Sequence, residues 1–487
     1  MRGPIVLLLL FALVISGCTD RGKPVIAEDL PDSMPDESDA IQADKPDENQ
    51  SHTEFMIPSD YESLTRNIGI LADMGGEIGP AHYAQLQQAV DNLEKNGADV
   101  SILRDHLARL KVARDGPHRE TDNNSSQGQI KMGILSPRGC EGKGLRMLGA
   151  SPLALDDLQK ILPMGMMSSV HITPTDHQYW HTLNFNGPSE DTINTDRFKI
   201  HAPADGFVVE IGKVFDQENY RIIIEHSCNF YTIFIHIDKL AEKLLKEMKN
   251  PDGSLKLQEW PRIPVKEGEV IGSIGIGKFD FSVVDESVTL QGFANPKTYE
   301  AEVWKIHTAD TFDYYSEPLR SKLLAKNVKA SEPFGGKIDY DIPGKLIGSW
   351  FRENTNGYKG LGNENYWTSH LSIAYDILDP NQIVVSIGDF DGEGRQYGVK
   401  GNAPKPQDIT AETGIVKYEL VPYDYYSGNT KWDGIKFTRD ITAKNTNEVR
   451  GVALFQLIDG KLKAEFFPNK SGSKVNGFTR KEIMYER

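Results

Sequence analysis

HAPADGFVVEIG (201–212) and VKEGEVIGSIGIGKFDFSVV (265–284) decide the fold, with IIIEHSCNFYTIFIHID (222–238) between them. The two outer segments repeat one another. In each, small or charged residues lead to a turn glycine, Gly206 or Gly268, and then to a hydrophobic strand closing on Gly212 or Gly275. Residues 207–211, 221–225 and 230–237 are runs of β-branched and aromatic residues bounded by turn residues, the pattern of short strands. Residues 239–248 (KLAEKLLKEM) predict a helical insert.

A duplicated half-motif of this kind resembles the barrel-sandwich hybrid shared by lysostaphin/LytM-type zinc metallopeptidases, biotinyl or lipoyl carriers and membrane-fusion adaptors. A carrier needs a modifiable lysine on a hairpin between the halves, and an adaptor inserts a long helical hairpin there. Neither pattern stands between these halves. What does stand there, EHSCNFYTIFIHID, is similar to the peptidase segment in which an aromatic strand leads to a catalytic histidine. Residues 131–330 therefore resemble a divergent lysostaphin/LytM-type domain. Fold alone does not settle activity.

In that family two histidines and one aspartate bind zinc, and two further histidines polarise water and stabilise the tetrahedral intermediate. Such chemistry needs an open metal site beside groups that move protons. Carried over by position, His171 matches the first ligand and Asp176 the carboxylate, with four residues between them where the family has three. His177 is adjacent and can replace either, and His236 matches the catalytic histidine. The closing His-x-His falls on Lys278 and Asp280. Asp280 remains a possible metal ligand, but with Asp176 it makes a more oxygen-rich set than zinc peptidases use. Lys278, an ammonium, cannot act as a general base and is left as an oxyanion donor.

Plainer roles compete with each of these. His171 and His177 flank a Pro-Thr turn and can simply satisfy backbone groups, His236 can be structural, and Asp280 can pair with Lys278 or another cation. His181, His201 and His226 read as ordinary polar positions. Tyr179, Trp180, Phe185, Phe230, Tyr231 and Phe234 either line a glycan or peptide groove or pack in the core, the more frequent role at strand spacing.

The N-terminus carries Arg2, an apolar run over 5–15 and then Ser16-Gly17-Cys18. The run is too short for a stable span, so 1–17 read as a secretory signal. Ile15-Ser16-Gly17-Cys18 resembles a lipobox, which implies acylation of Cys18 and anchoring on the extracytoplasmic face of a membrane. Residues 31–50 hold seven acids, one lysine and three prolines, so 18–60 are read as an acidic, disordered tether. The net charge of −16 argues against a nucleic-acid partner. Cys140 and Cys228 either pair or stay as buried thiols.

At 487 residues the chain exceeds one ordinary core. Residues 61–116 predict a helical hairpin, with Asn96-Gly97 stopping one helix and Asp99 capping the next. Residues 117–130 read as a linker, and 340–487 as a second β-barrel or sandwich with a hairpin turn at Asp459-Gly460. The fold class is thus mainly β with α. Three functions remain open: a lipid-anchored cell-envelope protein with a degenerate metallopeptidase site, acting as a binding or regulatory module toward peptidoglycan or an envelope protein; an active endopeptidase using a divalent metal to cleave peptidoglycan crosslinks; or a ligand-binding lipoprotein working through its C-terminal domain. The cofactor is zinc, another divalent metal or none. Trp350, His370, Tyr375 and Tyr418 are candidates to line that third site, with core packing as the alternative.

Overall fold

Alternating side chains on the strand Lys278–Asp285 organise the central domain. Phe279, Phe281 and Val283 are fully buried in the main hydrophobic core, while Lys278, Asp280 and Ser282 take the opposite face. In this computed structural model the strand lies inside an antiparallel sheet ordered Ile263–Val265, Gly206–Lys213, Tyr220–Ser227, Phe230–Ile237, Lys278–Asp285, Gln178–Thr182 and Leu158–Leu162. Thr308–Ala309 pairs with the far end of Lys278–Asp285. The structure describes residues 146–487 except 187–193, 215–218, 251, 255–260 and 362–364, together with 77–78, 87, 90–91, 93–95, 97–109, 111–112 and 135.

The two repeated half-motifs interlock. Pro264 pairs with Phe207 in the large sheet, and Val270 pairs with His201 in a smaller sheet of Phe198–His201, Val270–Ile274 and Lys239–Leu240. Ile200, Ile271 and Ile274 from the small sheet share one core with Trp180, Phe234 and Phe281 from the large one. The expected insert at 239–248 begins as the short strand Lys239–Leu240 and becomes helical only over Glu242–Met248.

One irregularity matters for the site. Between Phe230–Ile237 and Tyr220–Ser227 the register steps from Phe234↔Ile222 to Ile237↔Tyr220, three residues against two. Residues Ile235 and His236 absorb the extra position as a β-bulge, and His236 takes φ +69°. Strict alternation would send His236 into the core with Phe234. The bulge instead leaves its side chain 32% exposed and returns Ile237 to the interior.

The C-terminal region is a closed eight-stranded barrel, built from Gly348–Arg352, His370–Tyr375, Ile383–Phe390, Glu393–Val399, Val416–Val421, Gly451–Ile458, Lys461–Pro468 and Ile483–Glu486. Trp350, Ile373, Val385, Tyr418, Phe455 and Leu462 fill its inside. Closure removes the exposed edges an open sheet would leave. A three-stranded arm, Tyr423–Ser427 with Thr430–Lys431 and Ile441–Asn445, leans back on the central domain. There Lys160, fully buried, donates to the carbonyls of Gly434 and Ile435.

Upstream, residues 93–95 are helical and Gly97 ends that turn at φ +86°. Asp99 Oδ1 then accepts from Ser101 N at the head of the helix Ser101–Arg109. Arg104 pairs back to Asp91 and Glu94, which gives the expected hairpin where it is described. Cys18, the signal, the tether, most of the linker and Cys140 lie outside the described residues. Cys228 is disulfide-bonded, and its partner is not among them. No described helix is long and apolar enough to cross a membrane.

The central domain and the barrel share a core. Phe293 and Tyr299 pack with Phe351 and Tyr358, and the 3-10 segment Pro296–His307 lies against the turn Gly357–Lys359. Gly357 has φ +57°, and a Cβ there would stand 2.5 Å from the Thr298 carbonyl oxygen. Gly357→Ala is expected to cost more than about 1 kcal/mol in chemical denaturation, because both the backbone conformation and the close approach exclude a side chain.

Candidate functional site

The polar face of Lys278–Asp285, the bulged end of Phe230–Ile237 and the loop before Gln178–Thr182 meet the C-terminal domain at a cavity of about 360 Å³. Ile223, Ile233 and Ile235 form its apolar floor. His171, Asp176, His177, His236 and Asp280 line it together with Trp304 and Lys305, and Tyr366, Trp367 and His370 of the C-terminal domain complete the wall. Five of the six catalytic or metal candidates are therefore gathered in one place. Lys278 is the exception: it does not line the cavity, and its Nζ sits 4.1 Å above the Tyr179 ring.

A row of alternating charge runs through the site. Lys305 Nζ lies 3.1 Å from Asp176 Oδ1, and His177 Nδ1 lies 3.2 Å from the same oxygen. His177 Nε2 then faces Asp280 Oδ2 at 3.4 Å, and His236 Nε2 approaches that oxygen at 3.6 Å. Asn219 holds His236 from behind, at 3.0 Å from Nδ1. Trp304 Nε1 donates to Asp176 Oδ2 at 2.8 Å, and the Ser282 hydroxyl donates to the Asp176 carbonyl.

Burial alone would neutralise Asp176, His177 and Lys305, and their neighbours prevent it. Burial pushes the Asp176 carboxyl upward, but Lys305 and then His177 hold it well below the usual carboxylate range. Burial likewise works against the charged forms of His177 and Lys305. Asp280 and Asp176 outweigh it for His177, and Asp176 and Glu302 for Lys305, so both are raised. His171, whose ring is 5.5 Å from that of His177, is pushed down to about 3 by burial and then by His177 and Lys305, so it is neutral.

The metal set implied by the resemblance does not fit this arrangement. Both oxygens of Asp176 are taken by donors of the protein, and among the described residues no three His, Cys, Asp or Glu side chains are grouped to hold a metal ion.

The remaining candidates separate cleanly. Trp180, Phe230 and Phe234 are core residues, Tyr231 is buried on the other face of the sheet, and none of the six proposed groove aromatics lines the cavity. His226 is held between the Asp205 carbonyl and Thr232, and burial brings it to about 4. Trp350 and Tyr418 pack inside the barrel, and Tyr375 donates to Gln407. His370 does line the cavity, with its Nε2 against the Tyr358 carbonyl. Glu302, Trp304, Lys305, Tyr358, Tyr366 and Trp367 had no motif to announce them.

No family model matches the chain, and no curated protein does. Among solved structures, the solution NMR structure of lysostaphin aligns with 52% of this chain and 91% of its own, at 13% identity and a TM-score of 0.22. A likeness that weak carries no argument here.

Asp176→Asn should lower stability by roughly 3–5 kcal/mol in urea titrations, since it leaves the Lys305 ammonium buried beside a single carboxylate. For His177 the folded value lies above the unfolded 6.5, so its contribution is complete below that pH and fades as pH rises through the folded value. The stability gap between wild type and His177→Gln should accordingly be widest below pH 6.5 and narrow as the pH rises above it. A gap that widens would contradict a protonated His177.

Proposed function

We propose that the protein is a lipid-anchored binding module of the cell envelope whose metallopeptidase-like site no longer hydrolyses, and that its cavity receives a segment of peptidoglycan or of an envelope protein. One observation carries the non-enzymatic part: the cation facing Asp176 is the side chain of Lys305, at 3.1 Å. Lys278 supports it, since it stands where a proton-transfer histidine would and rests on Tyr179 outside the cavity. The envelope part rests on the lipobox-like Cys18 segment and on the half-motifs, which resemble a peptidoglycan-directed family.

The C-terminal domain has its place in this reading. Its barrel interior is packed, so its contribution is the wall formed by Tyr366 and Trp367, which are partly exposed at the cavity. Aromatic rings of this kind offer large contact area at small entropic cost.

Two measurements on the purified protein test the proposal. It should co-sediment with cross-linked peptidoglycan, several-fold less when Trp367→Ala is introduced, and release no new amino termini from it. Cleavage by the wild type that disappears in His236→Ala would overturn the non-enzymatic reading. In cells, Cys18→Ser should abolish incorporation of labelled fatty acid, and a labelled variant would refute the anchor.

A further inference from the structure

We propose that the cavity binds an N-acetylated sugar: the acetamido N–H donates to Asp280, the acetyl methyl rests on the isoleucine floor, and the sugar ring stacks on Trp367. This ligand would make the binding module proposed above, on which the assignment rests, a reader of glycan strands rather than of peptides. Asp280 lines the cavity with its side chain 5% exposed, and its Oδ1 has no hydrogen-bond partner among the described residues. A buried carboxylate oxygen without a donor is costly, so it marks a place suited to a donor from a ligand. The contacts of Oδ2 with His177 and His236, at 3.4 and 3.6 Å, are longer than direct hydrogen bonds, which leaves the carboxylate able to turn toward that donor.

The charges around the cavity are matched before any ligand enters. Lys305 faces Asp176 and Glu302, Arg221 faces Glu210, and His177 faces Asp280. A free ammonium would meet Lys305 and His177, and a free carboxylate would meet Asp280, each adding a charge the site does not balance. A neutral amide N–H satisfies Asp280 without upsetting that balance.

The position on the sheet favours a sugar over a peptide. Ile223, Ile233 and Ile235 stand on Tyr220–Ser227 and Phe230–Ile237, and Asp280 on Lys278–Asp285, strands that are each paired on both sides. With no strand edge to extend, a peptide would leave most of its backbone N–H and C=O groups unpaired there. A sugar instead needs an apolar surface for its C–H face and a few polar contacts at its rim. Trp304 is held by its Nε1 bond to Asp176, and Trp367 stands edge-on to Tyr366 with ring centroids 5.4 Å apart, so the rings are set before binding. At about 360 Å³ the cavity is near the lower end of small-ligand sites, room for one sugar unit with its acetamido arm.

The test measures binding of tri-N-acetylchitotriose, cellotriose and a synthetic stem peptide to the purified protein by calorimetry, and maps the bound sugar by saturation-transfer NMR. Cellotriose carries a hydroxyl where the other trisaccharide carries its acetamido group. Wild type should bind the acetylated sugar about tenfold more tightly than cellotriose, with the acetyl methyl protons receiving the strongest saturation. Asp280→Asn should remove most of that preference, because His177 claims the remaining oxygen and the amide nitrogen turns toward the ligand. Should that variant fail to fold, the comparison of the two sugars on wild type still decides.

Equal affinity for the two sugars, including none for either, would overturn the proposal, as would saturation confined to the ring protons. Binding of the stem peptide in place of the acetylated sugar would overturn it too, yet leave the binding-module reading standing. That reading falls only if the protein fails to sediment with peptidoglycan.

Discussion

The contact between Lys305 and Asp176 is the one on which the site depends. Without the ammonium, Asp176 would lose the largest influence keeping it ionised, and His177 would lose one of the two carboxylates that keep it protonated. Asp280 would then face a neutral imidazole in a water-poor setting. Lys305, Asp176 and His177 each hold their charge state through their neighbours in this row.

Strand geometry delivers the members of that row. Period-two alternation puts Asp280 and Ser282 on the face opposite Phe279 and Phe281. A regular ladder would have buried His236, and the bulge at Ile235 and His236 turns it outward. A non-glycine residue at φ +69° is costly, and such backbone strain persists only where its surroundings enforce it. Here the paired strands Tyr220–Ser227 and Lys278–Asp285 do so from both sides.

The legible part of the chain was the part governed by local pattern. The strand Phe230–Ile237, the interlocking repeats around Gly206 and Gly268, the helix stop at Gly97 and the hairpin turn at Asp459 and Gly460 all follow from neighbours in sequence. Glu393–Val399 closes the barrel with a half-exposed, polar EGRQYGV, which has no hydrophobic run to mark it. Lys305 was illegible for a different reason. Its partner Asp176 is far away in sequence, and the segment between Pro296 and His307 is an irregular 3-10 turn with neither strand nor α-helical periodicity. The resemblance singled out His171, Asp176, His177, His236 and Asp280, which line one cavity, but gave no warning that a lysine would meet Asp176 there.

The shared core of Phe293, Tyr299, Phe351 and Tyr358 carries a consequence for how the protein is put together. A boundary near residue 335 looks natural in sequence, between one β-rich region and the next. In the folded chain the charged row is anchored through Lys305 to a segment that the second region clamps. The unit that folds with this site intact is therefore larger than residues 131–330, and the barrel is part of its framework rather than an appended module.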